Sequence, residues 1–349
     1  MKVNLIMSFI RFGRGRRGLP LLALALLLLS AACSGNVRET PGGQTGANGT
    51  ADATANETAN QETDTKPAGE ANRRVIEHAG GQTVLEDEPK KIAVLDYRLA
   101  DTLLALGIIP HAMGTYLGET DLPYIDGSPL AKVVPLGDSV NMESLIDSEP
   151  DLIIARSTDT LENLQKIAPT IVVDKADNWR EGLREVGRYL DREAEAEAWL
   201  AEFDREAAEL REELGKRAEP DATFLYLRVM PKEVRVHGVD QALSQTLFGE
   251  LGLKPVPGLE NVKRIEVISL EALPDFDADY IFMEVGTPGA GGDQDAKDNL
   301  KGLQETMVWK GLNAVRHDRV YEVPQWIISD FPHIKLKSLE IIREALLGK

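Results

Sequence analysis

Flat aromatic rings and guanidinium groups recur directly after short apolar runs in this chain. Tyr97 and Arg98 follow Ile92-Ala93-Val94-Leu95, Tyr116 follows Ala112 to Thr115, and Arg156 with Ser157 follows Leu152-Ile153-Ile154-Ala155. Further along, Arg228 follows Thr223 to Leu227, and Trp326 lies just after Arg319 to Val323. Arginine presents a rigid fork of donors to oxygen-rich or anionic groups, while tyrosine and tryptophan add broad apolar contact with a polar tip. That chemistry holds a molecule rather than breaking one. No Gly-x-Ser-x-Gly elbow occurs, and the Gly-rich stretch Gly286 to Asp293 lacks the Gly-Lys-Ser/Thr of a phosphate loop, so it reads as a mobile loop. The histidines, His78, His111, His237, His317 and His333, are scattered, with none paired at the spacing of a zinc or manganese site. Met230 or His237 could be offered to a haem iron, although a lone His or Met is more often a packing residue.

In open α/β sheets, ligands gather beyond the carboxyl ends of the strands, so these side chains require such sheets behind them. The runs Ile92–Leu95, Ala112–Thr115, Val133-Val134, Leu152–Ala155 and Ile171–Val173 predict buried strands, and Leu99 to Leu106 predicts a helix stopped by Gly107. Residues 180 to 217 hold no proline, and Trp199, Phe203, Ala207, Leu210 and Leu214 recur every three or four positions. That pattern predicts a helix of roughly 25 residues with one apolar face, with a shorter helix before it and Pro220 closing it. Strands resume at Thr223–Leu227, Val234–His237, Tyr280–Met283 and Arg319–Val323, with helices near Gln241–Leu251 and Lys335–Leu347. The expected fold class is therefore α/β, with two α/β lobes bridged by one long helix: an N-terminal lobe over 73–178, the helical connector over 179–219 and a C-terminal lobe over 220–349. An internal repeat ties the lobes together. Met142-Glu143-Ser144-Leu145 precedes Asp151-Leu152-Ile153-Ile154, and Leu270-Glu271-Ala272-Leu273 precedes Asp279-Tyr280-Ile281-Phe282 at the same spacing.

The N-terminus is of another kind. Residues 1–32 carry Lys2, Arg11, Arg14, Arg16 and Arg17, no acid, and an apolar run from Leu21 to Leu29, which is the layout of an export signal and too short to span a membrane. The run ends Leu29-Ser30-Ala31-Ala32-Cys33, resembling a bacterial lipobox in which the single cysteine of the chain, Cys33, is acylated after cleavage. Residues 34–72 are dominated by Gly, Thr, Ala, Asn, Glu and Gln and read as a disordered tether, giving 33–72 as lipidated cysteine plus linker. Loss of the signal takes the net charge from −18 to −23, which argues against nucleic acid as a partner. A lipid, a tether and a folded body imply a domain held at the extracytoplasmic face of a cell membrane, anchored in the bilayer through Cys33.

From residue 75 onward, the ordered set of segments resembles a known family. These are Lys91 to Leu95 with Leu99 to Gly107, Leu136-Gly137 with Met142 to Leu145, Pro150 to Ile154, Ile167-Ala168-Pro169-Thr170, the long helix, and Ser269 to Leu273. The family is the substrate-binding lipoproteins of ABC importers for iron–siderophore complexes, vitamin B12 and haem. The resemblance implies the helical-backbone periplasmic-binding-protein fold, with ligand between the lobes and no catalytic role or resident cofactor. It also implies a monomeric receptor that delivers its ligand to a permease dimer, one exposed Glu per lobe, here Glu143 and Glu271, docking on arginines of the permease. A ferric siderophore is favoured as ligand, with haem, cobalamin or free metal as alternatives, and a surface enzyme or adhesive lipoprotein as the reading from another class. Against an acidic background, the candidate ligand residues Tyr97, Arg98, Tyr116, Arg156, Ser157, Arg228 and Trp326 are expected to form a locally basic cleft.

Overall fold

The computed structural model describes residues 73–173, 178–216, 219, 221–287 and 292–348. The export signal, Cys33, the tether and Pro220 lie outside the described residues, as do residues 288–291 of the Gly-rich stretch. A short antiparallel ribbon comes first, β1 (Arg74–His78) and β2 (Gly81–Leu85). Five parallel strands then form the N-terminal sheet: β3 (Ile92–Val94), β4 (Ala112–Met113), β5 (Val134–Pro135), β6 (Leu152–Ala155) and β7 (Thr170–Val172), in the order β5-β4-β3-β6-β7. Their near-continuous apolar composition follows from burial on both faces. Helices α1 (Tyr97–Ala105), α2 (Met142–Asp147) and α3 (Leu161–Leu164) alternate with them, the first two started by the Asp96 and Asn141 side chains accepting backbone N–H groups.

Helix α4 (Trp179–Tyr189) and the longer α5 (Glu193–Gly215) lead out of this lobe. Ala196, Leu200, Phe203, Ala207, Leu210 and Leu214 form the buried stripe of α5, so it packs by one face and leaves its Glu/Arg-rich remainder in solvent. The C-terminal sheet is mixed. It comprises β8 (Thr223–Val229), β9 (Val234–His237), β10 (Lys254–Pro255), β11 (Ile265–Ile268), β12 (Tyr280–Val285) and β13 (Val320–Val323). Its order is β11-β9-β8-β12-β13, with β10 beside the start of β8. The expected helix at Gln241–Leu251 is instead one turn of α-helix, α6 (Ala242–Ser244), running into a π-helix at Gln245–Glu250. Three helices absent from the sequence reading follow β12: α7 (Gly292–Glu305), α8 (Met307–Gly311) and α9 (Asn313–Arg316). Gly292 and Asp293 thus open a helix rather than end a loop.

The last helix, α10 (Pro332–Leu347), returns to the N-terminal lobe. Its His333 backbone N–H donates to Asp101 Oδ1 of α1 at 3.0 Å, and the His333 ring Nδ1 lies 3.0 Å from the same oxygen. One apolar cluster runs from Val94, Leu99 and Leu103 through Phe203 and Leu210 to Tyr226, Phe282 and Ile342, so α1, α4, α5 and α10 share a core with one face of each sheet.

The repeated segments perform the same local task. Asp151, ahead of β6, accepts the N–H groups of Lys90 and Lys91 at 2.8 Å each, just before β3. Asp279, ahead of β12, accepts the N–H and hydroxyl of Thr223 at 2.8 and 2.9 Å, at the start of β8. Each Asp pins the adjacent parallel strand to its own. Eight positions earlier, Glu143 lies in the first turn of α2 and Glu271 in a turn before a short 3-10 helix, both exposed, with Asn141 and Ser269 capping the two turns.

Candidate functional site

Strand ends of the N-terminal sheet converge on one carboxylate. Asp96 accepts the Arg98 N–H at 2.9 Å and grips the Arg98 guanidinium with both oxygens, at 2.8 and 2.6 Å. Arg156, just past β6, reaches the same carboxylate at 3.4 Å. Burial alone would lift the Asp96 pKa, but the Arg98 hydrogen bonds and charge, with Arg156 behind them, hold it below the usual value. Arg156 lies over the Phe331 ring, 5.3 Å from its centroid. Burial and the neighbouring Arg98 charge pull the Arg156 pKa down.

Tyr97 opens α1, and its ring is 4.9 Å from that of Tyr116. Their approach needs a glycine: a Cβ on Gly114 would stand 2.7 Å from the Leu95 carbonyl oxygen, so β3 and β4 could not close up beneath the two rings. Asp138 holds the Tyr116 loop by accepting from the Thr115 hydroxyl at 2.5 Å and the Gly118 N–H at 2.9 Å. Ser157 is exposed, and its hydroxyl accepts the Asp159 N–H at 3.1 Å to close a local turn.

In the C-terminal lobe, parallel strands β8, β12 and β13 end side by side, and Trp326 follows β13 in a short 3-10 turn. Arg228 corrects the sequence reading. It lies inside β8 rather than beyond it, 5% exposed, opposite Glu284 of β12 in register. Its Nε is 2.9 Å from Glu284 Oε1, and the guanidinium also donates to the Gly286 carbonyl, at 3.0 Å from Nη2. The other Glu284 oxygen accepts the Tyr226 hydroxyl at 2.5 Å. Glu284 is fully buried; that burial pushes its pKa up to about 7 against the opposing pull of Arg228 and Tyr226. His237 is 1% exposed behind the Tyr226 ring, with both ring nitrogens unpartnered. Burial first, then the charges of Arg228 and Arg235, lower its pKa to about 4.

The two rims meet across the molecule. Trp326 packs on Tyr124 of the N-terminal lobe, centroids 5.2 Å apart, and burial followed by the Tyr97, Asp293 and Glu284 charges raises the Tyr116 phenol to about 12. A cavity of about 470 Å³ opens beside Arg98 and Arg156, lined also by Asn178, Gln241, Arg264 and Phe331. The structure therefore brings Tyr97, Arg98, Tyr116 and Arg156 together and sets Trp326 against the same lobe. It puts Ser157 at the margin and Arg228 beneath the surface. Among the described residues, the positive charge expected of the cleft is offset in part, because Asp96 faces Arg98 and Arg156 and Glu284 faces Arg228. Sequence reasoning missed Tyr124, Phe331, Tyr226 and Glu284. Glu284 had a signal, as the one carboxylate inside the apolar run Tyr280 to Val285; Tyr226 and Arg228 share a face by their spacing of two.

Comparison with known proteins agrees with this architecture. A family profile described as periplasmic binding protein matches residues 92–326. The iron(3+)-hydroxamate-binding protein FhuD of Bacillus subtilis (strain 168) is 32% identical over 317 residues, covering 88% of this chain and 89% of FhuD. Among solved structures, a FhuD fold-family protein of Bacillus subtilis superposes with a TM-score of 0.69 at 28% identity, over 78% of this chain and all of that one. That protein is described as the binding component of a Fep/Fec-like ferrichrome ABC transporter. Staphylococcus aureus SirA, complexed with staphyloferrin B, shares the fold, with a TM-score of 0.66 at 24% identity over 79% of this chain and 98% of SirA. With two lobes, a long helix between them and a profile match across most of both sheets, the chain belongs to the periplasmic binding protein family.

Proposed function

We propose that this protein is a membrane-anchored extracytoplasmic receptor that holds a ferric siderophore between its lobes and delivers it to an ABC permease for iron uptake. The observation that carries the reading is the pair of facing rims. Arg98 and Arg156 from one lobe line the same cavity as Gln241, Arg264 and Phe331 from the other, with the Tyr97–Tyr116 ring pair beside Arg98. A ferric chelate presents oxygen atoms around a compact apolar-edged body, which suits guanidinium donors between aromatic walls. The iron is cargo held within its chelator, and the receptor acts by binding rather than by turnover. Cys33, acylated at the end of the export signal, would tie the body to the bilayer; no helix among the described residues is long and apolar enough to cross one. Glu143 and Glu271, exposed at matching places on the two lobes, would engage the permease while the receptor acts as a monomer.

The test is a fluorescence titration of the full-length protein against ferric chelates, haem and cobalamin, with tryptophan emission, to which the cavity-lining Trp179 contributes, as reporter. A saturable response to a ferric chelate alone is expected. Arg156→Ala should weaken that binding by roughly tenfold or more, the worth of a charge-assisted hydrogen bond. Saturation by haem or cobalamin instead would redirect the reading, and no response to any of them would end it. Separately, Cys33→Ala should move the protein from the membrane fraction to the soluble one, whereas unchanged retention would remove the lipid anchor.

A further inference from the structure

Three arginines at and beneath the cleft are matched inside the protein before any ligand arrives, while Arg264, which also lines the cavity, makes no ion pair among the described residues and shares the lining with Asp240. Arg98 is gripped by both oxygens of Asp96, and Arg156 shares that carboxylate. On the other side, Arg228 is set against Glu284 by strand register, both buried, and Arg235, the β9 neighbour of Arg228 in the same row, is paired with Glu233. Arg98 and Arg156 thus face Asp96, and Arg228 beneath them faces Glu284, while Asp293 accepts from the Gln325 amide at 2.9 Å. Counted with Arg264 and Asp240 of the lining, the region is close to neutral, and it is bordered by the Phe331 ring under Arg156 and by the Tyr97–Tyr116 ring pair beside Arg98.

Ferric chelates differ sharply in charge. Three singly charged hydroxamates cancel the charge of iron(III), whereas three doubly charged catecholates leave a complex of net charge −3. A neutral, apolar-edged complex gains from the aromatic walls without demanding a net cation. A trianion needs unmatched positive charge, and its approach to a fixed buried carboxylate is repulsive in a low-dielectric site. Glu284 is that carboxylate. It is fully buried, it cannot turn away into solvent, and it cancels Arg228, which is 5% exposed beneath the surface.

We propose that Glu284 is a specificity-determining residue: by neutralising Arg228 beneath the cleft, it makes the protein favour near-neutral ferric hydroxamates over trianionic ferric catecholates. This rests on the reading of the protein as a ferric-siderophore receptor and names the class of siderophore within it.

The test compares two probes on the full-length protein at pH 8.5, above the Glu284 titration: ferrichrome, a neutral ferric trihydroxamate, and ferric enterobactin, a trianionic ferric tricatecholate. The readout is the ratio of their dissociation constants, which a shared loss of folded protein does not move. The unaltered protein should bind ferrichrome at least tenfold more tightly. Glu284→Gln, which removes the charge and keeps the shape, should shrink that ratio by tenfold or more, and Glu284→Asp, which keeps the charge, should largely preserve it. Equal or tighter binding of ferric enterobactin by the unaltered protein would overturn the proposal without recourse to any variant. So would an unchanged ratio in Glu284→Gln. Failure of the unaltered protein to bind either chelate would be a different result, ending the receptor reading on which the proposal stands.

Discussion

Glu284 and His237 sit near the same ring, Tyr226, and titrate in opposite senses. A carboxyl raised to about 7 costs the fold nothing while protonated, so its stability contribution is present below pH ~4.5 and is lost as pH rises toward 7. A histidine lowered to about 4 behaves the other way: its contribution is present above pH ~6.5 and is lost as pH falls toward 4. Each shift is worth about 3 kcal/mol, so the two slopes nearly cancel across pH 4.5–6.5. Single variants should uncover them. Glu284→Gln should become more stable as pH rises through that window, and His237→Gln less stable, with urea midpoints as the measure. Parallel pH profiles in both variants and the unaltered protein would count against the assignment. Arg228 illustrates a further point at this scale. Removing one member of a buried ion pair leaves the other stranded, at a cost of about 3–5 kcal/mol, so Arg228→Ala tests folding before it tests ligand binding. Arg156, half-buried and 3.4 Å from its partner, is the cleaner probe of the cleft.

At the scale of elements, the repeat explains how strands of each lobe find register. Asp279 uses both oxygens, one on Thr223 and one on the Asn313 amide at 2.6 Å, and so ties β8, β12 and α9 together. Asp279→Ala should lower stability by about 2–3 kcal/mol, seen as a lower urea midpoint with an unchanged slope. A variant within a few tenths of the parent would mean that register is set by the apolar strands alone. The strands of the N-terminal sheet, β8, β9, β12, β13 and α5 were legible in the sequence because apolar runs and a spacing of three or four are local signals, whereas β1, β2, β10 and β11, shorter or more exposed, were not read. Helix α7 was not read, although Ala296, Leu300 and Leu303 are buried at helical spacing, because its Gly292-Asp293 start resembles a turn. The Gln245–Glu250 turn widened to π geometry beyond what propensity announces. At the cleft, residue types were readable and pairing was not. Arg228 and Glu284 are 56 residues apart, and only the register of β8 on β12 makes them neighbours.

For the whole molecule, the connection between lobes is helical and the lobes also touch through α1 and α10. Helices absorb little of the dihedral change that loop hinges absorb, so ligand should alter the radius of gyration by less than ~1 Å in small-angle scattering, and a change of several ångströms would contradict this. Delivery is the other prediction at this scale. If Glu143 and Glu271 dock on a permease, their loss should spare ligand titrations and reduce uptake of labelled ferric chelate. The double variant Glu143→Ala with Glu271→Ala should fall further than the two single losses combined, because linked contacts reinforce each other through effective concentration. Full uptake in the double variant would remove the docking role. The bond from His333 to Asp101, spanning 232 positions of the chain, has a consequence for biogenesis. Helix α1 belongs to the first lobe, yet the partner of its buried carboxylate is synthesised only after the second lobe's sheet. A chain threaded across a membrane from its N-terminus would carry a first lobe whose Asp101 lacks this partner until α10 emerges, which couples completion of the first lobe to that of the second.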